Sequence, residues 1–236
     1  MARDNKIKNI FLSASIPLPE RDAKYFDTAD IIAIRDAVIA LTTVILPHHR
    51  IVWGGHPSIT PLIYYVMEKT IKNKVESEII EFKKKSLEDQ ERIIFHRTQE
   101  EISSHVQLYQ SKFFEKFFPE DNNKFRNVEL TDIIEDDRDK SLLHMRERML
   151  DESEFSAAVF IGGMEGIYGD KEKNIEGEYK MFVDRYPNAL LLPIASTGGA
   201  TKIIYDTVFP EELKNERFVK DYGYMSLFQK FLMDKF

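Results

Sequence analysis

Cysteine is absent from the 236-residue sequence. The protein therefore has no thiol nucleophile, disulfide, iron–sulfur cluster or cysteine-type zinc site. Positive charge is not in excess either: 33 Lys and Arg face 40 Asp and Glu, a formal net charge of −7. This balance argues against binding to duplex nucleic acid or to a membrane surface. Long apolar runs are also missing, since none reaches the roughly 18 residues of a membrane span. The composition predicts a soluble, cytoplasmic protein.

Glycine is scarce, but its distribution is uneven. Of ten glycines, six form the three pairs Gly54-Gly55, Gly162-Gly163 and Gly198-Gly199. Gly166 and Gly169 follow closely behind the second pair. Glycine can adopt positive φ and lets a backbone approach a ligand closely. The pairs therefore mark particular turns of the fold.

Short apolar runs alternate with helical patterns along most of the sequence. Continuous apolar strands separated by helices are typical of a parallel sheet covered on both faces. We therefore predict a Rossmann-like α/β sandwich of three layers, with a mostly parallel sheet, as a single domain over residues 1–236. A charged helical extension is predicted at about 69–101, with a small insertion near 92–95, and a C-terminal amphipathic helix at about 222–236. Ser58 is the predicted N-cap of the helix that follows the first glycine pair. The predicted strands are residues 7–12, 50–53, 106–109, 128–134, 157–161 and 189–193.

The glycine pairs stand beside the ends of predicted strands or open a predicted helix. Ligands of open α/β sheets bind at the carboxyl ends of the strands, near the point where the strand order reverses. We therefore expect the pairs to converge on one edge of the sheet, together with polar residues that follow the apolar strands. The candidate nucleotide-contacting residues are Ser13, Ser15, Gly54, Gly55, His56, Ser111, Gly162, Gly163, Met164, Glu165, Thr197, Gly198 and Gly199.

The segment GGMEGIYG, residues 162–169, is the most suggestive of these turns. A tight glycine turn before a helix can expose N–H groups to a phosphate or a ribose, although a plain strand-to-helix turn has the same pattern. Within it, Glu165 could hold a ribose diol or stabilise a cationic sugar during N-glycoside cleavage, or simply be solvated. Glu176 and Glu178, near the start of the next predicted helix, are alternatives, but acids favour helix N-termini on electrostatic grounds alone.

Other catalytic motifs are missing from the sequence. There is no HxxxH or HExxH spacing, so no metal site is predicted. There is no GxSxG elbow, which leaves hydrolase triads unsupported. His56, between Gly55 and Pro57, could bind a phosphate or stack on a base, with a neutral structural histidine as the alternative.

Six segments carry a family resemblance. They are FLSASIPLPERD (11–22), AIRDAVIAL (33–41), VWGGHPSITPLI (52–63), LYQS (108–111), AAVFIGGMEGI (157–167) and LPIASTGGA (192–200). Together they resemble the SLOG superfamily, the Rossmann-like fold shared by Smf/DprA and LOG proteins. The sequence looks closest to a bacterial branch associated with nucleotide signalling and defence. The resemblance implies a SLOG-type fold and a nucleotide ligand.

A more distant resemblance to LOG phosphoribohydrolases suggests an arginine and a glutamate for the site. Their pattern places a helical arginine sixteen positions before the first glycine of a PGGxGTxxE loop, and Arg146 stands sixteen positions before Gly162. The loop departs from the pattern, because Ile161 replaces the proline and no glutamate follows at the expected short distance. Glu176 or Glu178 could take the glutamate's place only if residues 168–175 are an insertion.

These patterns favour a sensor or binding domain for a nucleotide or an NAD-derived metabolite such as an ADP-ribose derivative. It would belong to a bacterial signalling or anti-phage defence system, act as a homo-oligomer through an effector protein, and require no cofactor. The alternative is an N-glycoside hydrolase acting on a nucleotide or NAD, with Glu165 or Glu178 as the acid and Arg146 holding phosphate. A structural subunit with a decayed pocket is the third possibility.

Overall fold

The computed structural model describes residues 6–20, 23–46, 48–78, 86–115, 125, 127–170 and 175–236. Its strands in chain order are β1 (Asn9–Ser15), β2 (Arg50–Gly54), β3 (Val106–Ser111), β4 (Val128–Thr131), β5 (Phe155–Gly162), β6 (Gly169–Asp170), β7 (Ile175–Glu176) and β8 (Leu190–Ile194). Six of them form a parallel sheet in the order β4-β3-β2-β1-β5-β8. The other two, β6 and β7, form a small antiparallel ribbon. The sheet confirms the predicted Rossmann-like α/β class.

Helices connect the strands of this sheet. They are α1 (Ala23–Phe26), α2 (Ile31–Ile45), α3 (Thr60–Glu78), α4 (Leu87–His105), α5 (Lys112–Glu115), α6 (Arg138–Asp151), α7 (Glu165–Tyr168), α8 (Glu178–Arg185), α9 (Gly199–Thr207), α10 (Arg217–Lys220) and α11 (Tyr224–Phe231). Short 3₁₀ turns occupy Ala195–Thr197, Glu211–Leu213 and Met233–Lys235. Helices α11, α2, α3 and α4 adjoin one another in series, while α6 adjoins α8. None of these helices is long and apolar enough to cross a membrane.

The strand order explains this arrangement of helices. From β1 the chain steps outward to β2, β3 and β4, and then returns to the other side of β1 for β5 and β8. Because crossovers between parallel strands are right-handed, the two directions of travel place their helices on opposite faces of the sheet. The core lies on both sides of the central strands. In β5, every residue from Ala157 to Ile161 is fully buried.

Two local predictions were wrong. Ser58 does not cap α3, which begins at Thr60. The Thr60 hydroxyl instead accepts hydrogen bonds from the backbone N–H of His56 (3.1 Å) and the indole N–H of Trp53 (3.3 Å). The insertion expected near 92–95 is absent, because these residues lie inside α4. Residues 79–85 are not among the described residues, and the charged stretch is helical at 69–78 and 87–101.

Candidate functional site

The order of strands reverses between β1 and β5. These strands run side by side, and Ser15 at the end of β1 pairs with Gly162 at the end of β5. The connections leave the two strands in opposite directions, which opens a crevice outside their carboxyl ends. This crevice is the candidate site, and the predicted residues Ser13, Ser15, Gly162 and Gly163 lie at its base.

An ion pair between α6 and α8 lies at the crevice. Nε of Arg146 donates a hydrogen bond to Oε1 of Glu178 at 2.9 Å, and the side chains are only 12% and 14% exposed. The hydroxyl of Ser13, on β1, donates to the other oxygen of Glu178 at 2.5 Å. Both carboxylate oxygens therefore accept hydrogen bonds, as suits an ionised glutamate. Three elements that are distant in sequence fix this carboxylate in one orientation.

Among the described residues, Arg146 uses only a small part of its hydrogen-bonding capacity. Within the described ranges, its two Nη groups make no hydrogen bond and no further ion pair. Nη2 lies 2.5 Å from the position that a Cβ on Gly166 would occupy, so a side chain at Gly166 would displace the guanidinium. A largely buried arginine with free N–H groups is suited to an anionic ligand, because guanidinium matches phosphate oxygens in a planar fork.

The small ribbon explains how Glu178 reaches this position. Strands β6 and β7 separate α7 from α8, so the glycine loop and Glu178 are divided by an extra hairpin-like segment. Glu178 is the first residue of α8 and faces Arg146. Glu176 belongs to β7 and forms an exposed ion pair with Lys180 at 3.1 Å. Of the two alternatives for the LOG glutamate, Glu178 contacts Arg146, whereas Glu176 pairs with Lys180.

Glu165 lies on the short helix next to the Arg146–Glu178 ion pair. It is the first residue of α7 and half-buried, and the side chains of Arg146 and Ser13 donate to Glu178 instead. Met164, which precedes it, occupies the N-cap position and packs against the core. Glu165 therefore opens helix α7, beside the pair formed by Arg146 and Glu178.

The second glycine pair closes the base of the crevice. Gly162 and Gly163 both have positive φ, +60° and +92°. The N–H of Gly163 donates to the carbonyl of Ser15 at 2.8 Å, and that of Gly162 donates to the hydroxyl of Thr197 at 2.8 Å. These N–H groups are consumed inside the protein. Gly162 and Gly163 therefore do not offer these two N–H groups to a ligand.

The third glycine pair packs against the second. The N–H of Ala200 donates to the carbonyl of Gly163 at 3.0 Å, and that of Gly199 donates to the hydroxyl of Thr28 at 3.1 Å. A Cβ on Gly198 would lie 1.7 Å from the carbonyl oxygen of Thr28, and one on Gly199 would lie 2.7 Å from that of Gly163. These glycines are required because backbones pass one another too closely for any side chain.

The first glycine pair lies one strand away from the crevice, at the end of β2. Gly54 packs against Met145, the residue before Arg146, with 2.9 Å between its absent Cβ and the methionine methyl group. Gly55 donates its N–H to the carbonyl of Tyr109 at 2.9 Å. Nδ1 of His56 accepts the N–H of Ser58 at 3.2 Å, which fits the structural alternative for this histidine.

A residue that the sequence did not single out lies at the end of β3. Gln110 is 5% exposed, and its Oε1 has no hydrogen-bond partner among the described residues. Its neighbour Ser111 was predicted; it is fully buried and accepts the N–H of Phe113 at 3.3 Å. The sequence gives no sign that this glutamine is buried with an unused oxygen, since polar residues alternate with apolar ones in many strands.

Metal binding has no support in the described part of the chain. No three His, Asp or Glu side chains there are grouped so that they could hold a metal ion.

The parallel sheet and the crevice between β1 and β5 define a Rossmann-like α/β protein. The family model described as the SLOG cluster3 family matches residues 24–93 and 91–232. The chain therefore belongs to the SLOG cluster3 family, which confirms the SLOG resemblance and is consistent with a nucleotide-related role. Arg146, Gly162 and Glu178 lie inside the matched range, and Ser13 precedes it. No curated protein and no solved structure matches the chain.

Proposed function

We propose that the protein binds a nucleotide or an NAD-derived metabolite, of the ADP-ribose type, in the crevice between β1 and β5. The observation that carries this proposal is Arg146, a mostly buried cation at the switch point of the sheet, whose two Nη groups are unused among the described residues. The role we assign is that of a sensor in a bacterial signalling or defence system, acting through an effector protein.

The chemistry beside Arg146 supports a phosphorylated ribose. Arg146 offers N–H donors to phosphate oxygens, and the oxygens of Glu178 retain lone pairs that can accept hydrogen bonds from ribose hydroxyls. A ligand with an anionic group and a neighbouring diol satisfies both. A purely anionic ligand is less suited, because the carboxylate of Glu178 repels it.

The test is a binding titration with a matched arginine control. AMP, ADP-ribose and NAD are titrated by calorimetry, with adenosine as the ligand without phosphate. Arg146→Ala should weaken the phosphorylated ligand more than tenfold and adenosine far less. Arg148→Ala removes an arginine of the same helix that pairs with Glu129 and Glu152, and it should leave affinity unchanged. Equal losses for both ligands in Arg146→Ala, or no binding at all, would contradict the proposal.

A second function is favoured by the fixed carboxylate of Glu178. In N-glycoside hydrolysis, a water oxygen bonds to the anomeric carbon while the bond from carbon to the base nitrogen breaks. The electron pair leaves with the base, and the proton that the attacking water loses is balanced by the proton that the base takes up. Positive charge develops on the sugar, and an ionised carboxylate beside it stabilises that transition state. Because Arg146 and Ser13 both donate to Glu178, it suits this electrostatic role, or deprotonation of the water, better than donation of a proton.

The two functions are separated by paired measurements of binding and turnover. Mass spectrometry follows release of free base from AMP, ADP-ribose and NAD. If the protein is a hydrolase, Glu178→Gln lowers turnover about a hundredfold or more while affinity changes little. Glu176→Gln, two residues away in an exposed ion pair, is the control and should retain turnover. Tight binding without any turnover in the wild type supports the sensor.

A further inference from the structure

The outer side of α2 carries an apolar surface with two charges at its centre. We define the α2 face as Ile32, Arg35, Asp36, Tyr222 and Met225. Three large apolar side chains of this face are well exposed: Ile32 by 62%, Tyr222 by 60% and Met225 by 50%. Single exposed apolar residues are ordinary, but a group of them marks an interaction surface.

These residues are neighbours in space. Asp36 lines one groove together with Tyr222 and Met225, where α11 packs on α2. Ile32 precedes Asp36 by four positions in the same helix, which places both on one side of α2. Arg35 is exposed on the adjoining position of that helix. The α2 face is therefore continuous and spans two packed helices.

The two charges of the α2 face have no ionic partner among the described residues. Arg35 and Asp36 form no ion pair or hydrogen bond with any described residue, whereas other charges on this side are paired, such as the partly exposed Arg217 and Asp221. Opposite charges on consecutive residues are self-complementary about a twofold axis. When two copies of one helix cross antiparallel at this point, Arg35 of each copy meets Asp36 of the other.

We propose that the α2 face is a homodimer interface whose occupant is a second copy of this chain. Two α2 helices cross antiparallel at Arg35 and Asp36, and two reciprocal ion pairs fix their register. Ile32, Tyr222 and Met225 supply the apolar contact around those pairs. The charge arrangement favours a second copy over an unrelated partner, because the same face provides both halves of each pair. This proposal requires no ligand and does not depend on the proposed function.

The test uses charge reversal and complementation in the full chain. Arg35→Asp places two negative charges against two, and Asp36→Arg places two positive charges against two. By analytical ultracentrifugation, each variant alone should dissociate at least tenfold more readily than the wild type. An equimolar mixture should form a heterodimer with restored affinity, because each negative pair then meets a positive pair. Arg138→Asp and Asp139→Arg, an adjacent exposed pair on α6, serve as controls and should dimerise normally.

Every outcome bears on the proposal. A wild-type protein that stays monomeric up to its solubility limit overturns it, as does a dimer that neither charge reversal weakens. Weakened variants that fail to associate on mixing overturn the reciprocal pairing. Met225→Ser is a second, uncharged probe of the same face and should also weaken the dimer, with circular dichroism and melting temperature confirming that each variant is folded.

Discussion

The Arg146–Glu178 ion pair makes a measurable prediction about stability. Arg146→Met removes the charge but keeps an apolar stem, and it leaves Glu178, 14% exposed, with Ser13 as its remaining hydrogen-bond donor among the described residues. Removing one partner of a buried pair costs about 3–5 kcal/mol, because the other charge stays desolvated. Both side chains here keep some contact with solvent, so we expect the lower end, about 3 kcal/mol. Glu178→Gln retains a carbonyl acceptor and should cost about 1–2 kcal/mol.

The double variant isolates the interaction itself. In Arg146→Met alone, the charge of Glu178 stays desolvated, and adding Glu178→Gln removes that charge. The double variant should therefore lower the free energy of unfolding by about 2 kcal/mol less than the sum of the two single variants. The matched control is Arg148 with Glu152, an i,i+4 pair whose side chains are 36% and 38% exposed. Exposed pairs of this kind couple by less than about 1 kcal/mol.

The assay is urea unfolding of all variants without ligand, repeated in high salt. Added salt should reduce the control coupling and leave the coupling between α6 and α8 nearly unchanged, because buried charges are poorly screened. A coupling energy below about 0.5 kcal/mol for Arg146 and Glu178 would refute the reasoning, since additive effects indicate residues that do not interact. In that case the two side chains do not form the site described here.

Three further predictions concern the rest of the fold. Gly198→Ala should lower the free energy of unfolding by roughly 4 kcal/mol in urea, because φ is +71° and the new Cβ meets the Thr28 carbonyl at 1.7 Å; Gly223→Ala, at negative φ, should cost far less, and equal effects would contradict the packing argument. Burial, followed by the charges nearby, lowers the pKa of His49 from 6.5 to about 4. Between these two pKa values the unfolded state binds more protons than the folded state. The free energy of unfolding should therefore keep the full contribution of neutral His49 above pH 6.5 and fall as the pH is lowered towards 4. His49→Asn, which keeps an acceptor but does not titrate, should show a shallower loss, and a parallel pH profile would contradict this origin. Gln110→Leu should raise the melting temperature, by about 1 kcal/mol of stability, because it removes a buried amide oxygen without a partner among the described residues; a lower melting temperature would show that the amide is satisfied.

The parallel sheet was predictable because its strands are apolar on both faces. Residues 157–161 form a run that only a fully covered strand can bury, and this run is the centre of β5. The ends of strands were less predictable. β1 continues to Ser15, beyond the apolar run, because its backbone pairs with β5 as far as Gly162. Backbone pairing of this kind leaves no mark in side-chain polarity.

The candidate site was predictable only in part. The sixteen-residue spacing singled out Arg146, and its guanidinium lies beside Gly166, since a helix followed by a strand returns to the same edge of the sheet. The choice among Glu165, Glu176 and Glu178 was not predictable, because it depends on the β6–β7 ribbon, whose two-residue strands have no periodicity. The second and third glycine pairs have positive φ, and close backbone packing explains Gly198 and Gly199, whereas Gly54 and Gly55 pack against side chains.

Helix α2 connects the crevice to the α2 face. Its N-cap Asp30 donates its N–H to the carbonyl of Thr197 at 3.1 Å, and Ile34 packs where a side chain on Gly162 would stand. Ile32 and Arg35, on the outer side, lie within about one 5.4 Å turn of these contacts. A ligand that shifted these glycines would therefore also shift the contacts of the helix that carries the proposed dimer interface.

This connection bears on the choice between sensor and hydrolase. A ligand changes an equilibrium only by its difference in affinity for the two states, and the dimer must in turn change ligand affinity by the same factor. A sensor requires a difference of this kind, in assembly or in an effector contact, because binding without it transmits nothing. A hydrolase requires none, since its carboxylate acts only on the sugar. Dimer affinity should therefore be measured with and without bound ADP-ribose, in the wild type and in Glu178→Gln. A change on ligand binding favours the sensor, because a hydrolase requires no such change.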